Sequence, residues 1–253
     1  MDSIIAAELV QHGQRRFSAP ATPVLFTNEP GADALLNDLA NHPHAFVLAC
    51  VMDRQIKAER AWAIPYRLAQ VLGGFSLKRL LEVTPEELKG FFEKLQLHRF
   101  PDTMSRNFTE AVRYIHSAYD GHADRIWRGS PPSAEVVFRF LQFEGVGPKI
   151  ATMAANILAR DFKVPLADHF SIDISADVQV RRVFWRLGLV GEGAGTDAVI
   201  YRARALHPQF PGLMDFPAWE IGREWCRPVD PQCDLCYMKT LCPTAKASAH
   251  VTG

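Results

Sequence analysis

The sequence has no excess of charge of either sign, because 28 lysines and arginines balance 28 aspartates and glutamates. Bulk attraction to nucleic acid is therefore excluded, and any binding to a polyanion must come from a local arrangement of groups. A long hydrophobic run is also missing. The longest one, Ala45 to Met52, is far short of the roughly 20 residues that a membrane-spanning helix requires. We therefore expect no membrane partner.

Other signals are scarce as well. No apolar segment follows a basic start, as a secretory signal requires, so we expect a cytoplasmic protein, nucleoid-associated if bacterial. The sequence contains no internal repeat, and the alternation typical of β-strands is rare. Hydrophobic residues make up 48% of the chain and charged residues 22%, which indicates an ordinary globular protein. Since apolar residues recur at helical spacing nearly throughout, the sequence predicts an all-α fold.

A glycine-rich turn, Glu-Gly-Val-Gly-Pro-Lys, separates two of these helical patterns. Pro148 suits the first position of the second helix, whose free amides form a site for a phosphate. Lys149 projects from the same end. The pattern favours a helix–hairpin–helix that binds the DNA backbone, and an ordinary helical hairpin with a surface lysine remains the alternative. The predicted DNA contacts in the turn are Gly145, Val146 and Gly147.

Four of the five cysteines are crowded near the C-terminus, with the spacing C-x6-C-x2-C-x5-C. Four thiolates in one loop can hold a [4Fe–4S] cluster or a tetrahedral zinc ion. One close pair flanked by two single cysteines suits the four corners of a cubane cluster better than the two close pairs of a zinc ribbon. We therefore predict a [4Fe–4S] cluster, with zinc as the alternative. Its ligands are Cys226, Cys233, Cys236 and Cys242.

The two motifs together resemble the endonuclease III branch of the helix–hairpin–helix DNA glycosylase superfamily. The resemblance extends from about Ala45 to Pro243. Family members pair the lysine with an aspartate, and the segment Ala-Asp-Val-Gln-Val-Arg-Arg-Val-Phe-Trp-Arg-Leu-Gly is similar to the segment that carries it. The resemblance thus assigns the aspartate role to Asp177. It also assigns to Gln55 the family's glutamine that fills the space left by an extruded base.

The chain departs from the family pattern near this aspartate. Gln179 stands where the family usually has histidine, and the segment Asp161–Ser175 lengthens the gap between the lysine and the aspartate. Such an insertion near the site makes Asp168 and Asp173 rival candidates. We prefer Asp177, because only the residues after it match the family in register.

The resemblance implies a bifunctional DNA glycosylase with AP-lyase activity that acts in base excision repair. Such an enzyme extrudes the damaged base, Lys149 forms a Schiff base at C1′, and Asp177 stabilises the charge that develops on the sugar. An oxidised pyrimidine is the first-choice substrate. One alternative is a glycosylase for a damaged or alkylated purine, with or without lyase activity. An alternative of another class is a non-catalytic DNA-binding iron–sulfur protein, which would need neither the lysine nor the aspartate.

A loop between two predicted helices is a candidate wedge that enters the duplex. Its residues are His98, Arg99 and Phe100. Each of these assignments has a plain alternative. The loop could simply join two helices, Gln55 could be a solvated surface residue, and Asp177 could only cap its helix.

The resemblance also implies two helical lobes. We expect a helical barrel over residues 38–162 that ends in the helix–hairpin–helix. The second lobe combines residues 1–37 with 163–253 and carries the iron–sulfur cluster. The active site would lie in the cleft between the lobes. The expected partner is double-stranded DNA with a damaged base or an abasic site, bound by a monomer.

Overall fold

The computed structural model describes residues 2–249, and this part of the chain is helical without any strand. The all-α prediction is confirmed. The α-helices are α1 (Asp2–Ser18), α2 (Pro30–Asn37), α3 (Pro43–Met52), α4 (Ala58–Trp62), α5 (Ile64–Leu72), α6 (Leu77–Glu82), α7 (Pro85–Lys94), α8 (Pro101–Tyr119), α9 (Ser133–Leu141), α10 (Pro148–Arg160), α11 (Val178–Arg186), α12 (Thr196–Leu206), α13 (Asp215–Glu224) and α14 (Pro243–Ala249). Within residues 2–249, none of these helices has the length and apolar character that crossing a bilayer demands.

Helix α3 lies at the centre of the larger core. Every residue from Ala45 to Met52 has no exposed surface. A helix that is apolar on all sides can satisfy the hydrophobic effect only if other elements surround it. Helices α2, α4, α5, α8 and α10 all pack against it. The unbroken apolar run in the sequence therefore corresponds to the most deeply buried helix, and that helix ends beside the candidate site.

The buried apolar side chains form two clusters. The larger surrounds α3 and draws on α2 to α10, whereas the smaller combines α1 with α11, α12, α13 and the cysteine-containing loop. The clusters correspond broadly to the two expected lobes, but the larger one also includes Ile172, Phe210 and Leu213 from the expected second lobe. Leu36 belongs to the larger cluster and α2 packs on α3 and α5, although the expected boundary assigns residues 1–37 to the other lobe. The division into lobes stays a prediction.

Helices α9 and α10 form the expected helical hairpin and pack along each other. The turn between them is anchored by Phe143 and Val146, which are 2% and 8% exposed. Apolar anchors on both sides of the glycine-rich turn hold its backbone in place.

The segment that follows α10 packs at the end of this hairpin that is remote from the turn. The Ala167 amide donates to the Pro131 carbonyl at 3.0 Å, and the Ser171 amide donates to Ser133 Oγ at 3.0 Å. Pro131 and Ser133 stand where α9 begins, so the middle of the inserted segment lies far from Lys149. Only its last residues approach Asp177. The expectation of an insertion near the site therefore holds for those residues alone.

Candidate active site

The two glycines of the turn differ in their surroundings. Gly145 has φ +84°, and a Cβ there would overlap Nδ2 of Asn107 and lie 3.3 Å from Nη1 of Arg54. Gly147 is the N-cap of α10 with an extended backbone, and a Cβ there would meet nothing within 4 Å. Gly145 is thus required by the turn itself. Gly147 leaves open space in front of the first amides of α10.

Lys149 occupies the second position of α10, at this open end. Lys149 is exposed, and its ammonium group has no ion pair within 4.0 Å among residues 2–249. Its carbonyl accepts a hydrogen bond from Thr152 Oγ1 at 3.2 Å, which belongs to the helix. A lysine without a carboxylate partner is available to a substrate.

Asp177 is the N-cap of α11. Its Oδ1 accepts hydrogen bonds from the amides of Gln179 at 2.8 Å and Val180 at 2.9 Å. Its Oδ2 has no hydrogen bond within the described part of the chain. Asp177 therefore does cap α11, as the plain alternative predicts. The cap holds one carboxylate oxygen fixed and leaves the other available, so it is compatible with a role in chemistry.

The two rival aspartates have structural partners instead. Asp173 is buried and forms a bidentate ion pair with Arg204. Nε of Arg204 lies 2.7 Å from Oδ1, and Nη2 lies 2.6 Å from Oδ2. Asp168 accepts hydrogen bonds from the Ser133 hydroxyl and from the Phe170 amide at 3.2 Å. Both carboxylates hold the inserted segment in place. This geometry favours Asp177 for the aspartate role.

Sequence reasoning missed a further carboxylate, Asp53, which ends α3. Burial raises the pKa of Asp53, Lys149 opposes this shift, and Asp177 and then Glu59 add to it. These groups are therefore close enough to interact electrostatically. One signal in the sequence could have found Asp53. An acidic residue directly after an all-apolar helix opposes the helix dipole and needs a reason to be there.

The remaining predicted DNA contacts divide into exposed and buried residues. Gln55 is exposed, with a left-handed backbone at φ +57°, and Arg99 and Phe100 are exposed in a cation–π pair at 4.7 Å. His98 is only 4% exposed. Burial lowers the pKa of His98, and its Nε2 lies 3.0 Å from the Arg54 carbonyl while its Nδ1 accepts from the Phe100 amide at 3.1 Å. His98 therefore joins the loop that carries Gln55 to the loop that carries Phe100.

The cysteine-containing loop forms its own small cavity. All four predicted ligands line a cavity of about 30 Å³, together with apolar side chains of α11 and α13. Burial, followed by neighbouring cysteines, raises the pKa values of Cys233 and Cys236. No group of three or more histidine, cysteine, aspartate or glutamate side chains within residues 2–249 is close enough to hold a metal ion. The four thiols share one cavity.

Two arginines of α11 attach this loop to the helix that begins at Asp177. Arg182 Nε donates to the Cys226 carbonyl at 2.7 Å. Arg186 Nη1 donates to Cys226 Sγ at 3.4 Å and to the Arg227 carbonyl at 2.7 Å. Positive charge next to thiolates is favourable. The arrangement places the guanidinium of Arg186 against the sulfur of Cys226 and that of Arg182 against the Cys226 carbonyl.

The helical fold, the helix–hairpin–helix and the four-cysteine loop are the features on which the resemblance to the endonuclease III branch rests. No protein-family model matches the chain. The chain is 23% identical to endonuclease III of Thermotoga maritima over 206 residues, which are 81% of this chain and 85% of that relative. The resemblance that the sequence indicates is therefore confirmed.

Solved structures agree with this comparison. The fold is similar to that of endonuclease III in a non-covalent DNA complex, with a TM-score of 0.65, 19% identity and 99% coverage of both chains. A trapped endonuclease III–DNA covalent intermediate, an estranged-adenine complex, has a TM-score of 0.60 at 20% identity and covers 87% of this chain and 95% of its own. A thermostable thymine-DNA glycosylase has a TM-score of 0.63 at 14% identity, with coverage of 96% and 98%. These structures share the fold of the chain.

Proposed function

We propose that the protein is a DNA glycosylase of base excision repair with AP-lyase activity. The observation that carries the proposal is that Lys149 and Asp177, each at the start of a helix, both lie close enough to Asp53 to influence its pKa. Lys149 stands unpaired at the open start of α10, and Asp177 is held by backbone amides at the start of α11. The fold is that of endonuclease III, for which a DNA-bound complex and a trapped covalent DNA intermediate are solved.

The proposed partner is double-stranded DNA that contains a damaged base or an abasic site. Three loops supply the contacts, and they touch one another. Arg54 lies against Gly145 of the hairpin, and the Arg54 carbonyl bonds to His98 of the wedge loop. A phosphate would bind the free amides at Gly147. With zero net charge, we expect few phosphate contacts, weak binding to intact DNA and a shallow salt dependence. The protein acts as a monomer in this proposal.

The proposed chemistry uses the lysine as a nucleophile. The amine of Lys149 attacks C1′ as the bond to the damaged base breaks, and the adduct then opens to an imine. The free Oδ2 of Asp177 stabilises the positive charge that develops on the sugar. The imine makes the adjacent C2′ proton acidic, so β-elimination can cleave the strand. An oxidised pyrimidine is the first-choice substrate.

We also propose that the cysteine loop holds a [4Fe–4S] cluster. The fit is supported by the donor set, since four cysteines line one cavity beside Arg182 and Arg186. Cys226, Cys233, Cys236 and Cys242 would be the ligands. When bound, the cluster would fix the loop in place, because metal binding and local folding are coupled. Arg182 and Arg186 then hold the start of α11 against that loop. A zinc ion is the alternative.

The experiment that tests the function uses the full chain on duplexes with one lesion each. The lesions are dihydrouracil, 5-hydroxyuracil, 8-oxoguanine and 3-methyladenine, and an abasic duplex is included. We expect release of the pyrimidine lesions, and a borohydride-stable protein–DNA complex, because borohydride reduces an imine. Release of the purine lesions alone would favour the purine enzyme. Release without trapping would mean a monofunctional glycosylase, and binding without release a non-catalytic DNA-binding protein.

A further inference from the structure

The carboxylate of Asp53 takes no part in the contacts that hold the fold together. Asp53 ends α3, and its backbone N–H donates to the Cys50 carbonyl. Asp53 is partly buried, and its carboxylate has no hydrogen bond and no ion pair among residues 2–249. Buried carboxylates are normally paired, because removing a charge from water is unfavourable. A carboxylate that is partly withdrawn from water and has no partner within residues 2–249 is available to a substrate.

The segment that carries Asp53 is attached to both halves of the candidate site. On one side, Arg54 lies directly against Gly145 of the hairpin that precedes Lys149. On the other side, Glu59 of α4 forms an ion pair with Arg223 of α13 at 2.7 Å. Helix α13 in turn packs closely against the start of α11. These contacts place the segment of Asp53 between the hairpin that carries Lys149 and α13, which packs against α11.

The packing of α13 against α11 is tight enough to fix this geometry. A Cβ on Gly222 would lie only 2.8 Å from Cβ of Gln179, so glycine is required where the two helices touch. Arg182 also donates to the Gly222 carbonyl at 2.8 Å. Asp177 is therefore held at a set position relative to Asp53, rather than on an independent element.

The charged groups that face Asp53 come from three other helices. Lys149 on α10 lowers the pKa of Asp53, whereas Asp177 at the start of α11 and Glu59 on α4 raise it. Burial is the largest influence, and the outcome is a raised pKa. Cys50, one turn earlier on α3, is fully buried. A larger share of Asp53 is thus protonated near neutral pH than for an ordinary aspartate.

We propose that Asp53 is a second catalytic carboxylate, which donates a proton to the departing base. The inference rests on the proposed function, and it adds a group that the resemblance does not assign. The two aspartates would have different roles. Asp177 is held by two amides and would stabilise the charge on the sugar, whereas Asp53 accepts no hydrogen bond from residues 2–249 and can carry the proton. Paired carboxylates in contrasting environments commonly divide the work in this way.

The proposed step balances in protons and electrons. The bond between C1′ and the base nitrogen breaks, and its electron pair stays with the base. The carboxylic acid of Asp53 gives its proton to a heteroatom of that base. The amine of Lys149 forms the new bond to C1′, and the nitrogen then loses a proton to the carboxylate of Asp53. Asp53 is thereby returned to its acid form, without any external reagent.

The test compares two bases that differ as leaving groups, in single-turnover base release by the full chain. 5-Hydroxyuracil keeps an aromatic ring that stabilises the departing anion, and dihydrouracil does not. With Asp53→Asn, we expect release of dihydrouracil to slow about 100-fold and release of 5-hydroxyuracil about 10-fold, since general acid catalysis contributes most to poor leaving groups. Trapping at a preformed abasic site should slow far less than the release of dihydrouracil, because no base departs there. The rate of base release by wild type should fall as pH rises through the pKa of Asp53. The rate of Asp53→Asn should not show this fall.

Two companion variants and a folding measurement complete the design. Asp53→Glu keeps the acid and should recover part of the dihydrouracil rate, whereas Asp53→Ser should behave as Asp53→Asn does. Because burial penalises the charged form, Asp53→Asn should unfold at a temperature no lower than wild type.

The inference is overturned if both bases and the abasic site are slowed equally, which would be a structural effect, or if none is slowed. Wild-type protein that releases no base from any duplex would instead overturn the proposed function, and this inference with it.

Discussion

The helices that carry Lys149 and Asp177 begin in opposite ways. Helix α10 has glycine at its N-cap and no side chain that accepts from its first amides, whereas α11 has an aspartate that accepts from two. Free amides at a helix start attract an external anion, and capped amides do not. The same structural element is thus used for two purposes. One start is open to bind a phosphate, and the other orients a carboxylate.

The largest expected effect comes from removing the nucleophile on the open side. Lys149→Gln should abolish borohydride trapping and strand cleavage, because an amide nitrogen cannot form the imine. DNA affinity should stay within a few-fold of wild type, since the amides of α10 are unchanged. Trapping is measured on abasic duplex by gel shift under denaturing conditions.

The matched control for this variant is Lys78→Gln. Lys78 is exposed at the second position of α6, as Lys149 is on α10. The control should trap DNA as wild type does. If Lys149→Gln still trapped normally, another amine would be the nucleophile. The open start of α10 would then not carry the group that reacts.

The second effect tests the capped side. Asp177→Asn should slow base release about 100- to 1,000-fold, the range seen when one electrostatic stabiliser of a transition state is removed. Because asparagine caps helices about as well as aspartate, the free energy of unfolding should change by less than about 1 kcal/mol. Cleavage at a preformed abasic site should be affected far less. Single-turnover assays on both substrates measure the difference.

Asp168→Asn and Asp173→Asn serve as controls for Asp177→Asn. Asp173→Asn should destabilise the fold, since Arg204 loses its ion-pair partner, but it should leave base release by the folded protein nearly normal. A base-release defect in either control larger than that of Asp177→Asn would mean that the aspartate role is assigned to the wrong residue.

The third effect addresses the attachment of α11 to the cysteine loop. Cys236→Ser should lose iron and lower the unfolding temperature, because it removes one of four proposed ligands. Cys50→Ser is the control, as that thiol is buried in α3, away from the loop. Anaerobically purified wild-type protein should contain about four irons per chain. Stoichiometric zinc without iron would show that the loop binds zinc and not an iron–sulfur cluster.

The smallest effect converts the open helix start into a capped one. Gly147→Asp should stabilise the fold by a few tenths of a kcal/mol, since it supplies an N-cap where a Cβ has room. The same change should weaken binding to all DNA sequences alike, because a carboxylate would occupy the phosphate site. Gly147→Ala adds bulk without charge and should bind nearly normally. Equal affinity of Gly147→Asp and wild type would show that the hairpin is not the DNA anchor.

Local patterns predicted those parts of the fold that depend on neighbouring residues. The apolar run from Ala45 to Met52 predicted the buried helix, and Gly145 with Pro148 predicted the turn and the start of α10. Such features follow from backbone sterics and from hydrophobic spacing within one segment. The register after Asp177 likewise located the cap of α11, although its catalytic role remains a prediction.

Features that depend on contacts between distant segments could not be predicted from the sequence. The sequence places His98 in a candidate wedge loop, but its ring is buried and bonds to the carbonyl of Arg54, which is far away in the sequence. The course of the inserted segment depends on Pro131 and Ser133 in the same way. Asp53 was overlooked because its surroundings come from three other helices. Periodicity within a segment carries no information about such partners.

The burial of α3 on every face has a consequence for the timing of motion in this molecule. An amide in a helix without exposed surface can exchange its hydrogen with solvent only when the surrounding helices separate. Helix α3 should therefore be the last segment to exchange, on the timescale of global unfolding. Asp53 ends this helix, so its backbone is attached to the slowest-opening part of the chain. Lys149 projects from an exposed first turn, where local opening is faster. The site thus combines a carboxylate on a nearly static support with an amine that is free to move.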